Sequence, residues 1–292
     1  MRIRQFYLDN SAGDRYDLNG RAGVFFSSPE GLGFTLSPSY ADLKQGFFRS
    51  VSDDTEPQNA VTGTLTFWGA DPYAAWQRFI NWTASAGQLY LIYCPTGDQE
   101  YIKQVSIGYM SKGEKTVVGT LEVGASFTGL TPWYRPDATE LSLENSQGNA
   151  IRYDYRYTST LIYGADSASV LSGTIYPGGH VPGSVLLRYF GAILNPKVRL
   201  TGNQSGKTYG LCSVVASLEA SDVFELSTLY RDSHAHKISA SGAVTDLLDG
   251  LSLASDPFFH VPVDEPCTIS IEADSVFSGS ADLQIFYYFR SV

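Results

Sequence analysis

Alternation of apolar and polar positions dominates this chain and predicts many short β-strands. In the first half the alternation recurs at residues 62–68, 88–94, 100–110 and 116–130. The last two segments flank the polar stretch 111–116, which contains Gly113, so the pattern predicts a hairpin that turns there. In the second half, strands separated by Gly, Pro, Asn and Asp are expected at 151–158, 184–191, 196–201, 209–218, 222–229, 267–273 and 282–289, and a helical turn at 243–251.

One short segment breaks this pattern and predicts a helix. Asp71 suits the N-cap, Pro72 suits the first helical position, and Gly87 can end the helix. We expect its apolar face to cover the open side of the first-half sheet. Trp82 lies beyond the edge of that face, and contact with another subunit would account for it. At 100° per residue the predicted face comprises Tyr73, Trp76, Phe79, Ile80 and Thr83.

Two prolines mark a change in composition near residue 135. Pro132 and Pro136 stand in a stretch that becomes polar, which is typical of a domain boundary. With 292 residues and 43% hydrophobic content, the chain can build two cores. We therefore predict a mainly β protein with domains at 1–134 and 135–292, the second an antiparallel sandwich.

Charge excludes several classes of partner. The net charge is −10 and the pI about 4.8, which argues against binding to nucleic acid or to anionic lipid. No apolar run is long enough to span a membrane, and the opening residues lack the apolar core of a signal peptide. We expect a soluble protein made in a cytosol. Its three cysteines, Cys94, Cys212 and Cys267, are expected to be buried and free.

Two segments resemble ligand sites. Residues 202–208, GNQSGKT, resemble a phosphate-binding loop, but one residue is missing between the glycines and a strand follows, so a hairpin turn is expected. His234 and His236 are two residues apart and would share one face of a strand. Since the sequence supplies no third ligand, a solvated strand or loop is favoured, and no metal or cofactor site is assigned.

Acidic residues cluster in one polar loop. Asp53, Asp54 and Glu56 could supply paired carboxylates for hydrolysis of wall polymers. A charge run without apolar periodicity is more often an exposed loop, whose charges are either solvated or set opposite a basic partner. No nucleophile motif occurs, so no catalytic residue is assigned and a non-enzymatic function is favoured.

The order of these features resembles the distal tail protein family of long-tailed phages. Four segments carry the resemblance: FYLDNSAGDRYDLNG at 6–20, the strand, capped helix and strand at 63–95, SKGEKTVVGTLEVGASFTGLTPWY at 111–134, and GSVLLRYFGAILNPKVRLTGN at 183–203. The resemblance implies an N-terminal belt domain, related to tail-tube subunits and containing one helix. It also implies a C-terminal galectin-like β-sandwich.

The same resemblance implies a structural function at the tail tip. A homo-hexameric ring would join the tail tube protein to receptor-binding proteins or tail-associated lysins, and DNA would pass through its lumen without specific binding. We expect Trp82 and the loop around Asp53, Asp54 and Glu56 to lie at interfaces of this ring. The protein would be made in the host cytoplasm and reside in the virion.

A second hypothesis is a carbohydrate-binding module that recognises host wall polysaccharide through residues 135–292. Galectins stack sugar on a tryptophan, but all four tryptophans here precede residue 135. A tyrosine platform remains open, since Tyr153, Tyr155 and Tyr157 alternate along one predicted strand, although core packing is favoured for them.

Overall fold

The computed structural model describes residues 4–34, 40–42, 48–50, 58–137, 144–145, 170–229, 232–274, 277 and 279–292. The chain divides into two compact units. The first comprises residues 1–135 together with 289–292, and the second comprises residues 136–288. No described helix is long and apolar enough to cross a membrane.

Ten strands make up most of the regular structure among the described residues up to 137. They are β1 (Gln5–Asn10), β2 (Arg15–Asp17), β3 (Val24–Glu30), β4 (Tyr40–Asp42), β5 (Phe48–Ser50), β6 (Ala60–Phe67), β7 (Leu89–Cys94), β8 (Tyr101–Lys115), β9 (Leu121–Gly129) and β10 (Trp133–Asp137).

Strand β8 connects the two halves of the first unit's sheet. Its residues 101–105 pair with β7, and its residues 105–115 pair with β9. The order across the sheet is therefore β2-β1-β7-β8-β9-β6-β3, and every pairing is antiparallel. With 15 residues, β8 is long enough to pair with β7 along its first part and with β9 along its second part.

The predicted helix is present as α1, Pro72–Ser85, between β6 and β7. The Asp71 carboxylate accepts hydrogen bonds from the backbone N–H groups of Tyr73 and Ala74, at 3.0 and 3.1 Å. Pro72 occupies the first helical position, and Gly87 adopts a φ of 65° just beyond the end. The start and end signals in the sequence are thus confirmed.

The buried face of α1 is rotated from the predicted one. Tyr73 was expected to be buried, but its side chain is 39% exposed and its hydroxyl donates to Glu114. The buried face instead centres on Phe79, with Pro72 and Ala75 beside it. At 100° per residue Tyr73 lies about 120° round the helix axis from Phe79, on which the buried face centres, so it falls outside that face.

Aromatic rings join α1 to the core of the first unit. Phe79 is fully buried, and its ring centroid lies 5.2 Å from that of Tyr16 on β2 and 5.7 Å from that of Phe67 on β6. The ring of Trp76 lies 5.5 Å from that of Phe67. The helix therefore covers the apolar side of the sheet, as the sequence predicted.

The hairpin between β8 and β9 turns later than expected. The polar stretch 111–116 was predicted as the turn, but residues up to Lys115 continue β8. The turn closes where the Thr116 N–H donates to the Thr120 carbonyl at 2.7 Å, and Gly119 adopts a φ of 91°. Glycine adopts this left-handed conformation without steric cost, which favours a turn at Gly119. The polar stretch before it can remain in β8 because its lysines are exposed to solvent there.

The second unit is built from short antiparallel strands. They are β11 (Glu144–Asn145), β12 (Leu171–Ile175), β13 (Val181–Phe190), β14 (Ile193–Leu194), β15 (Lys197–Gly202), β16 (Thr208–Ser213), β17 (Ser217–Leu218), β18 (Val223–Leu229), β19 (Asp232–Ile238), β20 (Val244–Asp246), β21 (Cys267–Glu272) and β22 (Ser280–Phe289).

Ten of these strands form two five-stranded arrays, and the remaining two, β14 and β17, pair with each other. One has the order β22-β13-β18-β19-β20 and the other β11-β12-β21-β15-β16. Each buries one apolar face by strand alternation. The fully or nearly fully buried residues include Val185, Leu187, Tyr189, Phe224 and Leu226 in the first sheet, and Val198, Leu200, Cys212, Ile269 and Ile271 in the second.

The mainly β, antiparallel class predicted from the sequence is confirmed. The helical turn expected at 243–251 is a 3-10 helix, Leu248–Gly250, preceded by strand β20. The strand predicted at 151–158, with Tyr153, Tyr155 and Tyr157, lies outside the described residues.

Candidate functional site

Trp82 has a partner within its own chain. Its ring is partly buried against the core of the first unit, with its centroid 5.2 Å from that of Tyr16. Tyr16 thus contacts both Phe79 and Trp82 from β2. This contact covers part of the apolar surface of Trp82. That the rest of the side chain contacts another subunit stays a prediction.

The acidic loop predicted as a second interface lies outside the described residues. This holds for Asp53, Asp54 and Glu56. Two short strands nearby are described, β4 and β5, which pair with each other. The interface assignment of the three acidic residues therefore stays a prediction.

The segment that resembles a phosphate loop holds a carboxylate of the chain itself. It is the turn between β15 and β16, so the hairpin predicted there is confirmed. The backbone N–H groups of Gln204 and Ser205 donate to Glu265 Oε2 at 2.9 and 3.0 Å. The hydroxyls of Ser205 and Tyr209 donate to Glu265 Oε1, both at 2.5 Å. The anion-binding amides of this turn are thus already satisfied.

These hydrogen bonds hold Glu265 in its ionised form. The donors, first the Ser205 hydroxyl, then the Tyr209 hydroxyl and the Ser205 N–H, lower the pKa of Glu265 to about 2. Because the folded-state pKa is depressed, the stabilisation is complete above the ordinary glutamate pKa. It is lost as the pH falls towards 2.

Replacing Glu265 with glutamine is expected to destabilise the second unit at pH 7. The glutamine NH₂ group is itself a donor, so it cannot accept the hydrogen bonds that one carboxylate oxygen of Glu265 accepts. The deficit relative to the wild type should stay constant down to about pH 5 and shrink between about pH 4.5 and 2. Urea unfolding across this pH range measures it, with Glu219→Gln on an exposed residue as the control. A deficit that is the same at pH 7 and pH 3 would contradict the prediction.

The two histidines predicted to share a strand face do so on β19, and a third residue joins them. His234 and His236 stack with their ring centroids 4.1 Å apart. Glu225, directly opposite His236 on β18, brings its carboxylate to 3.0 Å from His234 Nε2. Sequence reasoning missed Glu225, although a tight hairpin between 222–229 and the histidine segment would have predicted this pairing.

The cysteines are free and buried, as predicted. Burial raises the thiol pKa of Cys94 and of Cys267 to about 11 and that of Cys212 to about 12. At neutral pH these thiols are protonated, which makes them poor nucleophiles and poor metal ligands.

Comparison with solved structures shows one shared fold over the whole chain. A chain of the phage P2 baseplate in its activated conformation with Ca matches with a TM-score of 0.63 and 16% identity, covering 100% of both chains. The Dit protein of SPP1, described as a paradigm of the hub adsorption apparatus in phages that infect Gram-positive bacteria, matches with a TM-score of 0.60. Its identity is 8%, over 97% of this chain and 98% of that one.

Sequence comparison agrees with the fold. A search of curated proteins finds no match. Residues 5–130 match the family model described as the distal tail protein, N-terminal domain. The matched segment contains β1 to β9 and α1, and it covers the first two of the four segments that carry the sequence resemblance and most of the third. Residues 5–130 are thus similar to the N-terminal domain of phage distal tail proteins.

Proposed function

We propose that this chain forms a homo-hexameric ring at the distal end of the phage tail. The ring would join the tail tube to the receptor-binding proteins or tail-associated lysins below it. The match of residues 5–130 to the distal tail protein domain carries the proposal. The likeness in fold to baseplate and hub proteins over the whole chain supports it.

In this proposal the first unit builds the ring, and the second, as a galectin-like domain, projects from it. Trp82 on α1 supports an interface on the first unit, because part of its side chain stays exposed although the ring packs on Tyr16. Tryptophan is enriched at the centres of protein interfaces.

The charge of the chain suits a channel for DNA. A net charge of −10 per subunit would let an acidic lumen repel phosphates, so that DNA slides through without binding. We therefore propose that DNA passes through the ring and is not a ligand of it.

Labelling of intact virions tests the position in the particle. Gold-labelled antibodies raised against residues 136–288 should bind at the distal tip of the tail. Antibodies against the tail tube protein of the same phage serve as the control and should label the tail shaft of disrupted particles. Label from the first antibody on the capsid or along the shaft would refute the proposed position.

A further inference from the structure

The register of the β18–β19 hairpin places three metal-binding side chains on one sheet face. Glu225 on β18 pairs with His236 on β19, and His234 stands two residues from His236 on the same face. One ligand atom from each side chain lies within 4.8 Å of the corresponding atoms of the other two. We propose that Glu225, His234 and His236 form a binding site for a divalent transition metal ion such as Zn²⁺.

The site is largely withdrawn from water and stands on strands. The side chains of Glu225 and His234 are 11% and 14% exposed. Asp246 pairs with His236 on the far side, so a further carboxylate borders the group. A metal ion would compensate the burial of the ligands, and strand-borne ligands keep their positions better than ligands on loops.

The contacts of the His234 ring indicate the position that a metal ion would occupy. Its Nε2 lies 3.0 Å from Glu225 Oε1, and its Nδ1 lies 3.2 Å from Asp232 Oδ1. Both contacts are hydrogen bonds only when each ring nitrogen carries a proton. A metal ion can replace the proton between Nε2 and Oε1. The Nδ1–H would then still donate to Asp232, an arrangement that orients many metal-bound histidines.

Arg188 orients the Glu225 carboxylate. Its Nε lies 2.5 Å from Glu225 Oε2, which leaves Oε1 directed towards His234. The charged guanidinium beside it favours the ionised form of the Glu225 carboxylate, which is the form that metal binding requires.

The donor set selects the class of metal. Two imidazoles with one carboxylate suit Zn²⁺, Co²⁺, Ni²⁺ or Cu²⁺, whereas Ca²⁺ takes six to eight oxygen ligands. Zinc bonds of about 2.1 Å place tetrahedral donors about 3.4 Å apart. The two stacked rings, with 16° between their planes, must tilt towards Glu225 to reach this spacing. Water would complete the coordination.

This inference goes beyond the ring proposal and does not depend on it. Titration of the full, tag-free chain with Co²⁺ tests it, since a tetrahedral or five-coordinate site with histidine ligands absorbs in the visible. Calorimetry with Zn²⁺ gives the stoichiometry and affinity. We expect one ion per chain, no comparable uptake of Ca²⁺, and a melting temperature that rises with Zn²⁺ concentration.

Matched variants locate the ion. His236→Gln should weaken Zn²⁺ binding about tenfold or more, and His260→Gln, at an exposed histidine outside the group, should leave it unchanged. Glu225→Gln keeps the size and the hydrogen-bonding reach of the side chain. It repeats the test if His236→Gln does not fold, as judged by circular dichroism. Absence of binding by the wild type, or equal binding by the folded variants, would overturn the proposal.

Discussion

Replacing Phe79 with alanine is expected to lower the free energy of unfolding of the first unit by about 3–5 kcal/mol. Phe79 is fully buried and its ring meets Tyr16, Phe67 and Trp76. Alanine would leave a cavity between helix and sheet that rings held on two different strands cannot fill. Since domains are stable by about 5–15 kcal/mol, this loss is a large share of the total, and the urea midpoint of the first unit should fall markedly.

Tryptophan fluorescence during urea unfolding measures this change in the correct unit, because all four tryptophans lie in residues 1–135. Gln77→Ala on the exposed side of the same helix is the matched control and should change the stability by about 0.5 kcal/mol or less. Equal effects of the two substitutions would mean that Phe79 does not anchor the helix to the sheet.

Replacing Trp82 with alanine should weaken assembly more than folding. Because Trp82 is only partly buried on Tyr16, its loss should cost the monomer about 1–2 kcal/mol. A tryptophan at the centre of an interface is worth about 2 kcal/mol or more, which corresponds to about thirtyfold in the affinity of each contact. The loss recurs at every contact of a closed ring, so the ring should dissociate at concentrations where the wild type is assembled.

Sedimentation velocity over a concentration series compares assembly, and the fluorescence of the three remaining tryptophans compares folding. Arg78→Ala, at an exposed position of the same helix, is the control and should leave both unchanged. If Trp82→Ala reduces assembly only by as much as it reduces the folded fraction, Trp82 is a core residue and has no interface role.

Local signals allowed the elements to be predicted. The bounds of α1 follow from Asp71, Pro72 and Gly87, which act through their own backbone neighbours. The strands follow from alternation, which each segment carries by itself. The helix bounds and the strands depend on neighbouring residues and not on distant contacts, so the sequence alone predicts them.

Features that depend on distant contacts were not readable. The buried face of α1 is set by Tyr16 and Phe67, which reach the helix from two other strands. The β8–β9 turn forms at Gly119, which adopts a positive φ, and not at Gly113, where the polar stretch predicted it. A local pattern cannot decide between such alternatives.

The ligand sets show the same limit. The Gln204 and Ser205 amides resemble a phosphate site, yet Glu265, about sixty residues further along, occupies them. The His234 and His236 pair lacked a third ligand in the sequence because Glu225 joins it only through the register of a hairpin. Residue types at short spacing therefore indicate what chemistry is available, and the fold decides which groups meet.

The mass of the assembly in solution tests the ring most directly. Light scattering across a concentration series, with the chain alone and with the tail tube protein of the same phage, gives the number of subunits. Negative-stain images of the heaviest species give its shape. The account predicts a species near six times 31.9 kDa that forms ring-shaped particles. A chain that stays monomeric at every concentration, with and without the tube protein, would contradict it.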